Sequence, residues 1–244
     1  MEQTLEHKKF SGISGSTLKI IAIILMFIDH IGAAVFERGL LASSTVRSNT
    51  ELWESLRNID IVLRKIGRPS FPIFCFLLVE GFLHTKDAKK YALRLGLFAL
   101  ISEIPFDLAI RGQFLEFGSQ NVFFTLFIGL LTMMAASYVQ EKQKSLLQLP
   151  IFAIGLLAAY LLKTDYSYRG ILLIIAIYVC RFDKYVQAAA GAVAVTWELP
   201  APLAFLPILF YNGKRGISMR YFFYWFYPVH LLLLAGIARV VLMQ

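Results

Sequence analysis

Charge is scarce in this chain, and so is cysteine. Only 16% of its 244 residues are Asp, Glu, Lys or Arg, against 58% that are hydrophobic, a balance outside the range of ordinary soluble domains. Cys75 and Cys180 are the two cysteines. They fall in separate apolar stretches, predicted near opposite faces of a bilayer, so a disulfide between them is not expected. No Cys/His spacing of the kind that holds zinc is present, and no metal is expected. The alternating pattern of an outer-membrane barrel is missing. Internal repeats, low-complexity tracts and a second domain are missing too, so residues 1–244 read as a single integral-membrane domain. The formal charge of +8 does not argue for nucleic acid, because in a membrane protein the location of charge matters more than its sum.

Apolar helix is what fills the chain instead. Several stretches approach or exceed the length that crosses a hydrocarbon core of ~30 Å at ~1.5 Å per residue. The expectation is an all-α, polytopic helical membrane protein with about nine membrane helices, at residues 17–36, 71–84, 91–110, 122–139, 149–162, 170–180, 186–197, 201–211 and 221–241. The first is read as an uncleaved span rather than a signal peptide, because Asp29 and His30 interrupt its apolar run. Lys8, Lys9 and Lys19, then KDAKK, EKQK, RFDK and NGKRGISMR, fall on one side if the N-terminus is cytoplasmic. The joints RGQFLEFGSQ, KTDYSYR and WELPAP on the other side are sparser in basic residues. That asymmetry predicts a cytoplasmic N-terminus. Residues 186–211 contain Pro200, Pro202 and Pro207 and read as two short spans or a re-entrant hairpin. In the long first outer loop, ELWESLRNIDIVLRK spaces Leu52, Leu56, Ile59 and Leu63 helically, which predicts an amphipathic interfacial helix.

The informative residues are the polar ones inside these spans. Ionisable groups are costly in hydrocarbon, and they usually face a bundle interior or a watery cavity where they have work to do. LKIIAIILMFIDHIGAAVF carries Asp29 beside His30. Lys19 lies eleven positions before His30, which is three helical turns plus ~20°, so the two share a face at a separation of ~16 Å. Adjacent residues on a helix do not face each other, so Asp29 is expected to meet another helix. The next span places Glu80 and His84 one turn apart, and the third holds Arg94 near one end with Glu103 and Asp107 toward the other. By depth, His30, Glu103 and Asp107 gather in the outer half. Lys19, Glu80, His84, Lys86, Lys90 and Arg94 gather in the inner half, with an ion pair Glu80–Arg94 as the structural alternative for those two. The pattern suggests a polar cavity with a basic inner mouth and a titratable group deeper in. In YFFYWFYPVHLLLL, Pro228 should kink the last span near His230. Arg68, Tyr227 and His230 are further candidates.

LKIIAIILMFIDHIG, GRPSFPIFCFLLVEGFLHT with KKYALRLGLFALISEIPFDLA, NVFFTLFIGLL, YRGILLI and YFFYWFYPVHLLLL occur in order over nearly the whole chain. Together they resemble the TraX family, named for a conjugative-plasmid protein that acetylates the pilin N-terminus, and similar to the wider group of transmembrane acyltransferases. Many of that group carry an Arg, ten intervening residues and a functional His in the first span. Lys19 and His30 are the counterparts, with the charge and spacing kept and the bidentate phosphate geometry of Arg lost. The resemblance implies a multi-pass protein of the bacterial cytoplasmic membrane that moves an acetyl group from cytoplasmic acetyl-CoA to an acceptor amine or hydroxyl. The acceptor would be a protein N-terminus, as in pilin, or a glycan or small molecule. His30 would serve as general base, oriented by Asp29, Glu103 or Asp107, and the inner basic group would hold the CoA phosphates. Buried Asp, Glu and His residues also build proton-coupled transporters, and they can merely tie helices together in a membrane scaffold. Both remain rival readings of the residues alone.

Overall fold

A computed structural model describes residues 12–218 and 220–242; Lys8 and Lys9 lie outside the described residues. The α-helices are α1 (Gly15–His30), α2 (Ser44–Arg47), α3 (Thr50–Gly67), α4 (Ser70–Leu83), α5 (Ala88–Phe106), α6 (Val122–Glu141), α7 (Gln148–Leu161), α8 (Ser167–Val179), α9 (Lys184–Ala194), α10 (Phe205–Leu209) and α11 (Arg220–Leu242). No strand occurs among the described residues. Short polar side chains start several of these helices by accepting otherwise unpaired backbone N–H groups. Ser14 accepts from Thr17 at 3.3 Å, Asn49 from Leu52 at 3.1 Å, Asp87 from Lys90 at 2.9 Å and Asp183 from Val186 at 2.9 Å.

All nine apolar segments are helical, with ends within a few residues of those predicted. Four helical stretches among the described residues are long and apolar enough to cross a membrane: Gly15–Ala42, Thr50–Leu83, Val122–Glu141 and Tyr221–Leu242. The Pro-rich region forms two short pieces, α9 and the segment Ala201–Leu209, packed on each other. Helix α4 is central and buried along most of Ser70–Val79, with α8 packed against it. Apolar side chains also line the exterior at helical spacing: Ile20, Ile24 and Phe27 on α1, and Leu93, Leu97 and Leu100 on α5. Such stripes are costly in water and are what a hydrocarbon solvent covers.

Two departures from regular winding occur at one end of the bundle. Beyond His30 the chain continues as a π-helix, Ile31–Glu37, and α5 continues as a π-turn, Asp107–Arg111, closed by Gly112 at φ +72°. The stripe on α3 also differs from expectation. Leu56 and Leu63 are half-buried, Leu52 and Ile59 face outward, and the polar residues Asp60 and Arg64 turn inward against α1. Arg64 meets the protein there because Asp29 and Glu37 pair with it.

Candidate functional site

The C-terminal end of α1, the α3–α4 turn, the α7–α8 joint and the loop after α9 enclose a cavity of about 420 Å³. Asp29, His30, Glu37, Arg64, Arg68, Asp165, Tyr166, Arg169, Trp197, Glu198 and Tyr227 supply its polar and aromatic lining. Close approach of α3 to α1 brings the charges together. A Cβ on Gly67 would lie 2.2 Å from Cβ of Asp29, so only glycine fits where the helices cross. Arg64 then hydrogen-bonds both the carboxylate and, at 3.1 Å, the backbone carbonyl of Asp29. Its Nε lies 3.3 Å from Glu37, while Arg68 stands 3.9 Å from Asp29 and 2.9 Å from Glu198. Arg169 lies over the Trp197 ring at 5.3 Å. Oδ1 of Asp29 is buried without a hydrogen-bond partner. In a polar cavity such atoms are met by water or by substrate.

His30 forms part of the cavity wall, and its partner comes from two hundred residues away. Its Nδ1 is 2.7 Å from Nε2 of His230, whose own Nδ1 is 2.6 Å from the carbonyl oxygen of Phe226. The two imidazoles are nearly parallel, at 15°. Phe226 stacks on His230 at 4.7 Å, and Tyr227 meets both histidines edge-on at 5.8 Å. His230 is 3% exposed and stands behind His30 rather than in the wall.

The other predicted residues fall into two further groups, and three expectations are corrected. First, none of the three acids expected to orient His30 is its hydrogen-bond partner among the described residues. Asp29 is engaged by the two arginines. Glu103 accepts from the side chain and, at 3.2 Å, the backbone N–H of Asn121, and Asp107 accepts from the N–H of Glu116 at 2.8 Å. Both face residues 116–121 rather than the histidine. Second, none of the predicted basic group Lys19, His84, Lys86, Lys90 and Arg94 lines the cavity around His30. Lys19 lies ~16 Å along α1 from His30, and His84 is ~21 Å along α4 from Ser70 at the cavity. Third, Glu80 and Arg94 do not pair. Glu80 faces Tyr211 and His84, and Arg94 lies 5.9 Å over Tyr91. Of the basic group, Lys19 sits 5.4 Å over Phe223, Lys90 pairs with Asp87 at 3.3 Å, and Lys86 is exposed.

The model of the TraX protein family matches residues 14–238, from the start of α1 almost to the end of α11. The chain belongs to the TraX family. It is 34% identical to "Probable fimbrial assembly protein FimC, serogroup H1" of Dichelobacter nodosus, over 91% of this chain and 95% of that protein. No solved structure matches. In this TraX-family chain the further candidates Arg68, Tyr227 and His230 all touch the His30 neighbourhood. Arg64, Glu37, Asp165, Arg169 and Glu198 complete the cavity and were not singled out. Arg64 and Arg68 are one helical turn apart in sequence, a spacing that could have marked them as a pair facing one target.

Proposed function

We propose that this protein is a membrane-embedded acyltransferase. It carries an acetyl group from acetyl-CoA to an amine or hydroxyl acceptor, with His30 as general base and the 420 Å³ cavity as the acceptor's approach. The observation that carries the reading is an imidazole in the wall of a charged, partly unsatisfied cavity inside a helical membrane bundle. Such a cavity is costly unless it serves a polar substrate. In the reaction the acceptor atom attacks the thioester carbonyl, His30 takes the acceptor's proton, and the carbon–sulfur bond breaks to release the thiolate. Lys19, Lys86, Lys90 and Arg94, with Glu80 and His84 beside them, form the donor end. In an N-terminus-inside arrangement with nine spans and α3 at the outer interface, that end faces the cytoplasm and its CoA. The relative's name refers to fimbrial assembly, which makes a pilin-type N-terminus the acceptor to test first, with a glycan second.

The experiment uses purified protein in detergent, radiolabelled acetyl-CoA and a synthetic pilin N-terminal peptide. A general base contributes on the order of 10²–10⁴-fold, so His30→Ala should lower transfer by that factor while CoA still protects the protein thermally. Wild-type transfer by His30→Ala would remove the mechanism. CoA protection lost on neutralising Lys19 and Arg94 supports the donor end, and protection unchanged removes it.

A further inference from the structure

The hydrogen bonds around His230 determine which nitrogen of His30 carries a proton. A carbonyl oxygen can only accept, so the 2.6 Å contact with Phe226 requires the proton of His230 to sit on Nδ1. In the neutral ring its Nε2 is then a lone pair, and the 2.7 Å contact makes Nδ1 of His30 the donor. Nε2 of His30, on the opposite edge of the ring, is left unprotonated. Of the two rings, His30 alone lines the cavity. Aromatic packing by Phe27, Phe226 and Tyr227 holds both rings in this relation. Local sequence supports it, since His230 bonds the carbonyl four residues earlier in its own helix, just past Pro228.

We infer that His230 is a positioning residue, which locks His30 in the Nδ1–H tautomer and so presents a basic Nε2 to the cavity. Its kinetic consequence rests on the acyl-transfer reading, whereas the tautomer itself does not. When Nε2 of His30 takes a proton from the acceptor, the Nδ1–H can pass to Nε2 of His230. The positive charge then rests on whichever ring the surroundings favour, while the bond to Phe226 persists. Two neutral imidazoles thus do the orienting that a carboxylate does in a Ser-His-Asp triad, and no net negative charge has to be buried among aromatic rings.

The test is long-range ¹H–¹⁵N NMR on histidine-labelled protein, where the chain's four histidines keep the spectrum simple. His30→Gln identifies the His30 signals. In the wild type His30 should show the Nδ1–H pattern. His230→Gln keeps an acceptor near the position of Nε2 and should keep that tautomer, with kcat within about tenfold of wild type. His230→Phe keeps the ring shape and removes the acceptor. It should shift His30 toward Nε2–H and lower kcat about 10²-fold, the low end for a general base, with the KM for acetyl-CoA unchanged. Thermal unfolding near wild type shows that both variants are folded. If His30 keeps its tautomer in His230→Phe, or if folded His230→Gln is as impaired as His230→Phe, the role assigned to His230 is wrong. If the tautomer shifts as expected but wild-type protein transfers no acetyl group, the acyl-transfer reading fails and the positioning role stands.

Discussion

Gly67→Ala should destabilise the protein more than an ordinary glycine substitution. A methyl group there would sit 2.2 Å from Cβ of Asp29 and 2.8 Å from its Cα. Carbon atoms rest at ~3.5–4.0 Å, so α1 and α3 must part by roughly 1.5 Å. Because the obstacle includes backbone, no rotamer change can relieve it. Overpacking of this kind costs ~1–3 kcal/mol, and the movement also stretches the contacts of Arg64 and Arg68 with Asp29. Replacing glycine in a helix returns about 0.5–1 kcal/mol, which leaves a net loss of ~1–2 kcal/mol. Two controls calibrate the number. A Cβ on Gly32 would meet the flexible Arg64 stem at 2.8 Å, so Gly32→Ala should lose about 1 kcal/mol or less. Nothing lies within 4 Å of a Cβ on Gly236, so Gly236→Ala should be neutral or gain about 0.5 kcal/mol. Cys75 is fully buried. In a Cys180→Ser background, a thiol-reactive dye therefore reports unfolding in detergent. A melting temperature for Gly67→Ala at or above that of Gly236→Ala would refute the close crossing of α1 and α3.

The ion cluster predicts an asymmetry. Arg64→Met strips Asp29 of its close partner and should cost ~2 kcal/mol. Asp29→Asn should cost about half that, because Arg64 keeps Glu37 and Arg68 keeps Glu198; equal melting shifts would argue against this wiring. Asn121 is fully buried, donates to Ala99 at 2.7 Å and caps α6 through Phe123 at 3.0 Å. Asn121→Ala should therefore lose ~2–3 kcal/mol. Glu103→Gln keeps an acceptor for Asn121 and should retain near-wild-type acetyl transfer; a loss of 10²-fold would return Glu103 to the catalytic group. Asp165 lies in the joint between α7 and α8, where desolvation, helped by Asp29 and Glu198, pushes its carboxyl up to about 6. The folded protein thus binds this proton more tightly than the unfolded chain, and stability from this group falls as pH rises from about 4 through 6. Asp165→Asn should raise the melting temperature at pH 8 and leave it unchanged at pH 4; the same gain at both would exclude the titration.

Helix positions were legible because apolar runs are local signals. His30 could be picked out as a buried base, and Arg68, Tyr227 and His230 were recognised as candidates. The contact between His30 and His230 was not legible, since no local pattern states which distant helix a side chain will meet. Glu103 and Asp107 show the same limit, with depth following from position along the helix and direction depending on neighbours such as Asn121 and the Glu116 loop. On α3 the apolar stripe was visible, but amphipathicity alone does not say which face turns inward. Arg64 turns inward because Asp29 and Glu37 are there to receive it. Glu198 and Asp165 sit in short joints between helices, where neither periodicity nor spacing distinguishes a cavity residue from a solvated one.

The wide winding of Ile31–Glu37 makes length, as well as composition, heritable information. A π-turn holds one residue more than an α-turn, so this stretch behaves as an insertion maintained inside a helix. Losing a single position would restore regular winding and swing Glu37 by about 100° around the axis, away from Arg64 and out of the cavity wall. Alignments of TraX-family chains should therefore run without gaps between the positions of Asp29 and Glu37, however far the apolar residues in between have drifted.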